Sequence, residues 1–230
     1  MFLQGGNAVE RWLYVMVSRT DTRMGRMIRC FTRSEYNHVS LALEPEHFVS
    51  FARYRSDVPL AGGYVRETPE RLLFRGRSVP VRIFRLGIRE EEAGKLEALF
   101  RLAGDRDCPL IYNSLGALFT SCHIPCPIPG AYTCLDFAGA VLGHSFSSIR
   151  ALAEALSPWE IYCGDLSGFL HDNGSRSDPF FRNRGFFKGT GDTAVHFNRL
   201  FLRLIRIHRP ADPLAACQFD LLQNQNAVSG

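Results

Sequence analysis

Apolar residues come in short or alternating runs as far as Leu86 and at helical spacing from Arg89 onward. Period two marks strands and a period near 3.6 marks amphipathic helices. Strands gathered in one part of the chain and helices in the other predict an α+β domain. Residues 12–18 read as a first buried strand. In residues 37–43, Val39, Leu41 and Leu43 face one way, while His38, Ser40 and Ala42 share the opposite face. Residues 48–54, 64–67 and 79–86 are further strands. Thr68-Pro69 supplies a cap and a first-turn proline for a short helix. Helices are expected over 24–31, 89–103, 112–120, 133–142, 149–156 and 195–207. Residues 173–178 read as a polar linker and 212–230 as a loosely held tail. The expected organisation is one domain over 1–172, then linker, amphipathic helix and tail over 173–230. No internal repeat is seen.

Two side chains carry chemistry by their position. Thr133 precedes an apolar helix and Asp136 follows three residues later, the pattern of a capping box. Cys134 is then the first helical residue, where the helix dipole and unpaired N–H groups favour negative charge. A thiol there ionises more readily than a free one, and the same N–H groups can hold an oxyanion. Read blandly, Cys134 is a small buried residue opening a core helix. His38 has small neighbours, Ser40 and Ala42, on its strand face, which leaves room for a substrate or a second side chain. A neutral imidazole there accepts a thiol proton; the bland reading is a hydrogen-bonded structural histidine.

The rest of the composition mostly excludes. In 230 residues the formal net charge is +4, with 27 basic and 23 acidic side chains, so no nucleic-acid partner is expected. Seven cysteines without regular spacing argue against a disulfide framework. Residues 1–17 lack the marks of a signal peptide, and no apolar stretch is long enough to span a membrane. A cytoplasmic location is the expectation. Cys122 and Cys126 have plausible zinc spacing, but no second pair completes four ligands. Neither a metal nor another cofactor is expected. Asp57, Glu67 and Asp165 are candidate site acids that the sequence alone does not place.

Three segments together narrow the choice: Tyr36-Asn37-His38-Val39-Ser40-Leu41, Leu110-Ile111-Tyr112-Asn113, and Ala131-Tyr132-Thr133-Cys134-Leu135-Asp136-Phe137. With histidine before cysteine, the set resembles the circularly permuted branch of the NlpC-type papain-like cysteine peptidases, which includes the lecithin:retinol acyltransferase-like enzymes. The resemblance runs over residues 12–156. It implies a permuted papain-like fold, a small antiparallel sheet packed against helices with the site between them, with Cys134 as nucleophile and His38 as base. It also implies a tyrosine directed at the thiol or oxyanion, matched by Tyr112, which otherwise reads as an aromatic at a helix start. A third polar residue orients the histidine in that family, often an acid or amide on the next strand. Here that strand reads Phe48-Val49-Ser50-Phe51-Ala52-Arg53, which leaves Ser50, opposite Ser40 if a three-residue turn joins the strands.

These expectations converge on a cysteine hydrolase or acyltransferase working through a thioester. Its substrate would be a peptide, a peptidoglycan fragment or a lipid acyl group. The rival is a non-catalytic binding protein of the same fold, favoured by the missing orienting acid. In the last helix Phe197, Leu200, Phe201 and Leu204 form an apolar stripe, and Arg199, Arg203 and Arg206 lie on another side. Such a helix packs on its domain with the arginines in water, or makes weak membrane-surface contact through residues 195–207.

Overall fold

A computed structural model of the chain describes residues 11–21, 25–26, 29–30, 34–56, 58, 60–72, 79–105, 107–120, 124, 126–169, 180, 186–205, 212–217 and 219–228. The α+β expectation holds. Six strands, β1 (Arg11–Ser18), β2 (His38–Ala42), β3 (Val49–Arg53), β4 (Gly62–Arg66), β5 (Pro80–Ile88) and β8 (Glu160–Asp165), form one sheet in the order β4-β3-β2-β1-β5-β8. All its pairings are antiparallel. A short helix, α1 (Pro69–Leu72), follows β4, with Thr68 Oγ1 accepting from Arg71 N at 3.1 Å. The helices α2 (Glu90–Ala103), α3 (Ser114–Thr120), α4 (Cys134–Leu142), α5 (Ile149–Ala155), α6 (Phe186–Leu204), α7 (Pro213–Ala216) and α8 (Leu221–Val228) complete the fold.

Alternation decides what each sheet face buries. Val15, Val17, Val39, Leu41 and Phe51 join Leu96, Phe137, Val141 and Leu152 from the helices in the main core. Met16, Ala42, Phe48 and Ile83 belong to a smaller second cluster with Leu72 and Leu166. A short parallel ribbon pairs β6 (Ile111–Tyr112) with β7 (Ala131–Tyr132). Each of its strands runs within two residues into a helix, α3 and α4 respectively. Tyr112 is thus on a strand rather than in the helix expected over 112–120. Asn113 ends the strand and caps α3, its Oδ1 accepting from Gly116 N at 2.7 Å.

The C-terminal part departs most from expectation. The tail is docked rather than loose: Leu214, Phe219 and Leu221 are buried, and Asn224 donates to Glu92 Oε1 at 2.9 Å. The reason is apolar area that α2 and α4 leave open. The long helix α6 turns an unexpected face inward. His196, Leu200 and Arg203 are buried, while Phe197, Phe201 and Leu204 are 44%, 47% and 45% exposed. Arg203 is therefore not in water. Its Nη1 donates to Gly130 O at 2.7 Å and its Nη2 to Pro109 O, carbonyls flanking the ribbon, the first of which also accepts from Ile111 N at 3.0 Å. His196 Nε2 lies 2.9 Å from Tyr112 O. Residues beyond 173 therefore help to hold the ribbon carrying Tyr112 and leading to Cys134. Arg206 and the expected linker over 173–178 lie outside the described residues. No helix among the described residues is long and apolar enough to cross a membrane.

Candidate active site

The cysteine side of the site is built locally. Thr133 is the N-cap of α4, with extended backbone angles. Its Oγ1 accepts from Asp136 N at 3.1 Å, and Asp136 Oδ2 accepts from Thr133 N at 3.0 Å. The capping box satisfies two of the helix-start donors and leaves Cys134 as the first helical residue, as the sequence predicts. Phe137, one turn on, packs against Phe51 of β3 with ring centroids 5.0 Å apart, which docks the helix start on the sheet.

The histidine side is built from three strands. His38 opens β2 and pairs with Ser18 of β1. Leu41 pairs with Val49, and that antiparallel register sets Ser50 opposite Ser40. Ser50 in turn pairs with Val65, so Glu67 lies just past the end of β4, its N–H donating to Phe48 O at 2.8 Å. His38 Nε2 stands 2.7 Å from Glu67 Oε1, and Ser50 Oγ donates to the same oxygen at 2.5 Å. Arg71 Nε reaches Glu67 Oε2 at 3.0 Å.

Glu67 is thus the orienting acid that the strand after His38 lacks. It comes from one strand further along, and sequence reasoning left it unplaced among three candidates. Its one local signal is Arg71 four residues on, an i,i+4 acid–base pair across a helix start. Ser50 is corrected accordingly: it holds Glu67 rather than His38. Of the other acids, Asp57 lies outside the described residues. Asp165 caps a short turn at the end of β8, accepting from Ser167 N at 3.0 Å.

The buried charges tune one another. Burial would lift the Glu67 carboxyl, but His38, then Arg71 and the Ser50 hydroxyl, outweigh it and hold Glu67 at about 2. Burial would likewise depress the His38 imidazolium. The nearby charges of Glu67 and Cys134, with the hydrogen bond to Glu67, raise it to about 10. With Nε2 on Glu67, Nδ1 is the ring nitrogen not engaged by Glu67, and Cys134 lines the same cavity. Tyr112 is buried and its hydroxyl is shifted upward, first by burial and then by the adjacent Cys134.

A cavity of about 120 Å³ connects these groups, lined by His38, Glu67, Tyr112 and Cys134 together with Phe51 and Arg53. The structure therefore brings together Cys134, His38 and Tyr112, with Ser50 one step behind. Cys126 is described, but Cys122 and His123 of the zinc-like spacing are not. Among the described residues no group of three or more His, Cys, Asp or Glu is placed to hold a metal. The chain matches no protein-family model, no curated protein and no solved structure.

Proposed function

We propose that the protein is a cysteine-dependent hydrolase or acyltransferase acting on an amide or ester through a thioester. The observation that carries this reading is one cavity lined by a cysteine at a capped helix start and by His38, whose ring is hydrogen-bonded to a buried carboxylate. A histidine raised to about 10 carries its proton through the neutral range and stands as a positive charge in the cavity that Cys134 lines, where a cation favours attack by the sulfur as thiolate. The thiolate attacks the acyl carbonyl. The N–H groups at the start of α4, with the Tyr112 hydroxyl, receive the oxyanion. His38 gives its proton to the leaving amine or alcohol, and the thioester remains. The ring, now neutral, takes a proton from water or an acceptor alcohol or amine as that attacks, and the product acid, ester or amide leaves with the thiol restored.

The resemblance to the permuted NlpC-type branch supports the same roles for Cys134, His38 and Tyr112. Glu67 supports this reading over a non-catalytic binding protein, since it supplies a carboxylate hydrogen-bonded to His38. Peptides, peptidoglycan fragments and lipid acyl groups met in the cytoplasm are the substrate classes in keeping with it. The test is labelling of the intact protein with a thiol-directed acyl probe, followed by mapping of the modified residue. Labelling should fall on Cys134 and be abolished in both Cys134→Ala and His38→Ala. Full labelling of Cys134 in a folded His38→Ala protein would refute the pair.

Weak membrane-surface contact is a second reading, favoured by the exposed side chains of Val195, Phe197, Phe201 and Leu204 on α6 and of Ile205 just after it. Flotation with anionic liposomes should carry the wild-type protein upward and leave Phe197→Ser/Phe201→Ser behind. Equal flotation of the two would remove α6 from the contact.

A further inference from the structure

Two arginines line the cavity beside Cys134, and they are used differently. Arg71 is engaged on every side. Its Nε holds Glu67 Oε2 at 3.0 Å, its Nη2 donates to Arg53 O, and its guanidinium lies 4.4 Å from the centre of the Phe180 ring. Arg53, the last residue of β3, is half-buried in the same cavity wall. Its side chain makes one long hydrogen bond, Nη1 to Ser56 O at 3.4 Å. No carboxylate among the described residues pairs with it. Burial holds its guanidinium below the ordinary range, with the Tyr112 hydroxyl opposing and the like charge of Arg71 adding to the effect. A partly desolvated cation without a counter-charge gains most when an anion arrives. The guanidinium fork also fits the two oxygens of a carboxylate.

We infer that Arg53 receives a carboxylate on the acyl donor that Cys134 attacks. The preferred substrates are then acyl compounds carrying a carboxylate a few atoms from the scissile carbonyl. The small volume sets that spacing: Arg53 and Cys134 share the wall of one cavity of about 120 Å³, and Tyr112 is within electrostatic reach of both. A neutral acyl chain would leave Arg53 half-buried with no carboxylate beside it among the described residues and would bind less well. This inference deepens the proposed function and rests on Cys134 being its nucleophile.

Iodoacetate and iodoacetamide separate the two ideas. With either reagent the thiolate displaces iodide from the CH2 carbon and one S–C bond forms. The reagents differ in bearing a carboxylate or a neutral amide beside that carbon. Rates of alkylation at Cys134, read by peptide mapping of the intact protein, give an iodoacetate-to-iodoacetamide ratio to which His38 contributes equally in all Arg53 variants. In Arg53→Gln the ratio should fall about three- to tenfold, the scale of one charge–charge interaction at about 4 Å in a water-like dielectric. Arg53→Lys, which keeps the charge and loses the fork, should fall between. In the wild-type protein, added KCl should lower the ratio. A ratio unchanged in Arg53→Gln overturns the inference, provided melting is that of the wild type. Should that variant unfold, an unchanged ratio in Arg53→Lys together with salt independence in the wild type overturns it equally. Failure of the underlying reading looks different: Cys134 then resists both reagents, or reacts with them independently of His38, and the inference falls with it.

Discussion

His38 and Cys134 meet in one cavity but are held there by unlike means. On the cysteine side, one helix start and a capping box within four consecutive residues set the position. On the histidine side, three strands must pair in register before Ser50, Glu67 and Arg71 surround one another, and Glu67 is 29 residues from His38. The cysteine side spends neutral and exposed groups: Asp136 is exposed, and the cap replaces water at the helix end. The histidine side puts a carboxylate, an imidazolium and a guanidinium where little water reaches; the Glu67 side chain is 2% exposed. Attraction among such charges offsets their desolvation only while all remain together. The histidine side should therefore be the more fragile, and the more sensitive to pH.

Glu67→Ala offers the largest expected effect. It strips His38 and Arg71 of their shared counter-charge and leaves two buried cations facing each other. The expected loss is about 3–5 kcal/mol of stability, the usual result of removing one partner of a buried pair. Chemical denaturation of wild type and variant measures it. A cost below about 1 kcal/mol would mean that water reaches Glu67 freely, and the contrast between the two sides would collapse.

A subtler substitution, Glu67→Gln, keeps the shape and removes the charge, and its signature is in the pH profile. Raised from an ordinary 6.5 to about 10, His38 contributes stability that is complete below pH 6.5 and lost as pH climbs toward 10. Glu67, held down from an ordinary 4.5 to about 2, contributes stability that is complete above pH 4.5 and lost as pH falls toward 2. Between 4.5 and 6.5 both contributions are whole. Melting temperatures taken in steps from pH 6.5 to 10 should decline in the wild-type protein and decline less in Glu67→Gln. If the two profiles are parallel, the proton on His38 is not held by Glu67.

The same contrast explains what the sequence discloses and what it hides. The cap at Thr133, the strand that carries His38 and the strands β1 and β5 are local patterns, and each lies within about two residues of where the sequence puts it. Glu67 depends on the register of β3 against β4 across a loop, which no local pattern records. Strand β8 carries mostly exposed or half-exposed residues as an edge strand, so it lacks the alternation that would mark it. On α6 the obvious apolar stripe misleads, because Arg203 finds two backbone carbonyls inside while the phenylalanines stay outside. Buried polar partners override hydrophobic periodicity wherever the partner is distant in sequence.

Thr133→Ala is the smallest of these effects and the sharpest check on the comparison. It removes the hydroxyl that accepts from Asp136 N and leaves the Asp136 carboxylate still accepting from the residue 133 backbone. Half of the capping box survives, and solvent can reach the freed N–H of the helix start. The expected cost is about 0.5–2 kcal/mol, with no change in the shape of the pH profile above 6.5, because His38 and Glu67 are untouched. Thr133→Ser should restore most of the loss, since it returns the acceptor without the methyl group. A loss in Thr133→Ala as large as in Glu67→Ala would mean that the cap also positions the histidine side, through the docking of Phe137 on Phe51. A pH profile flattened by Thr133→Ala would mean that the proton on His38 depends on where α4 begins as much as on Glu67.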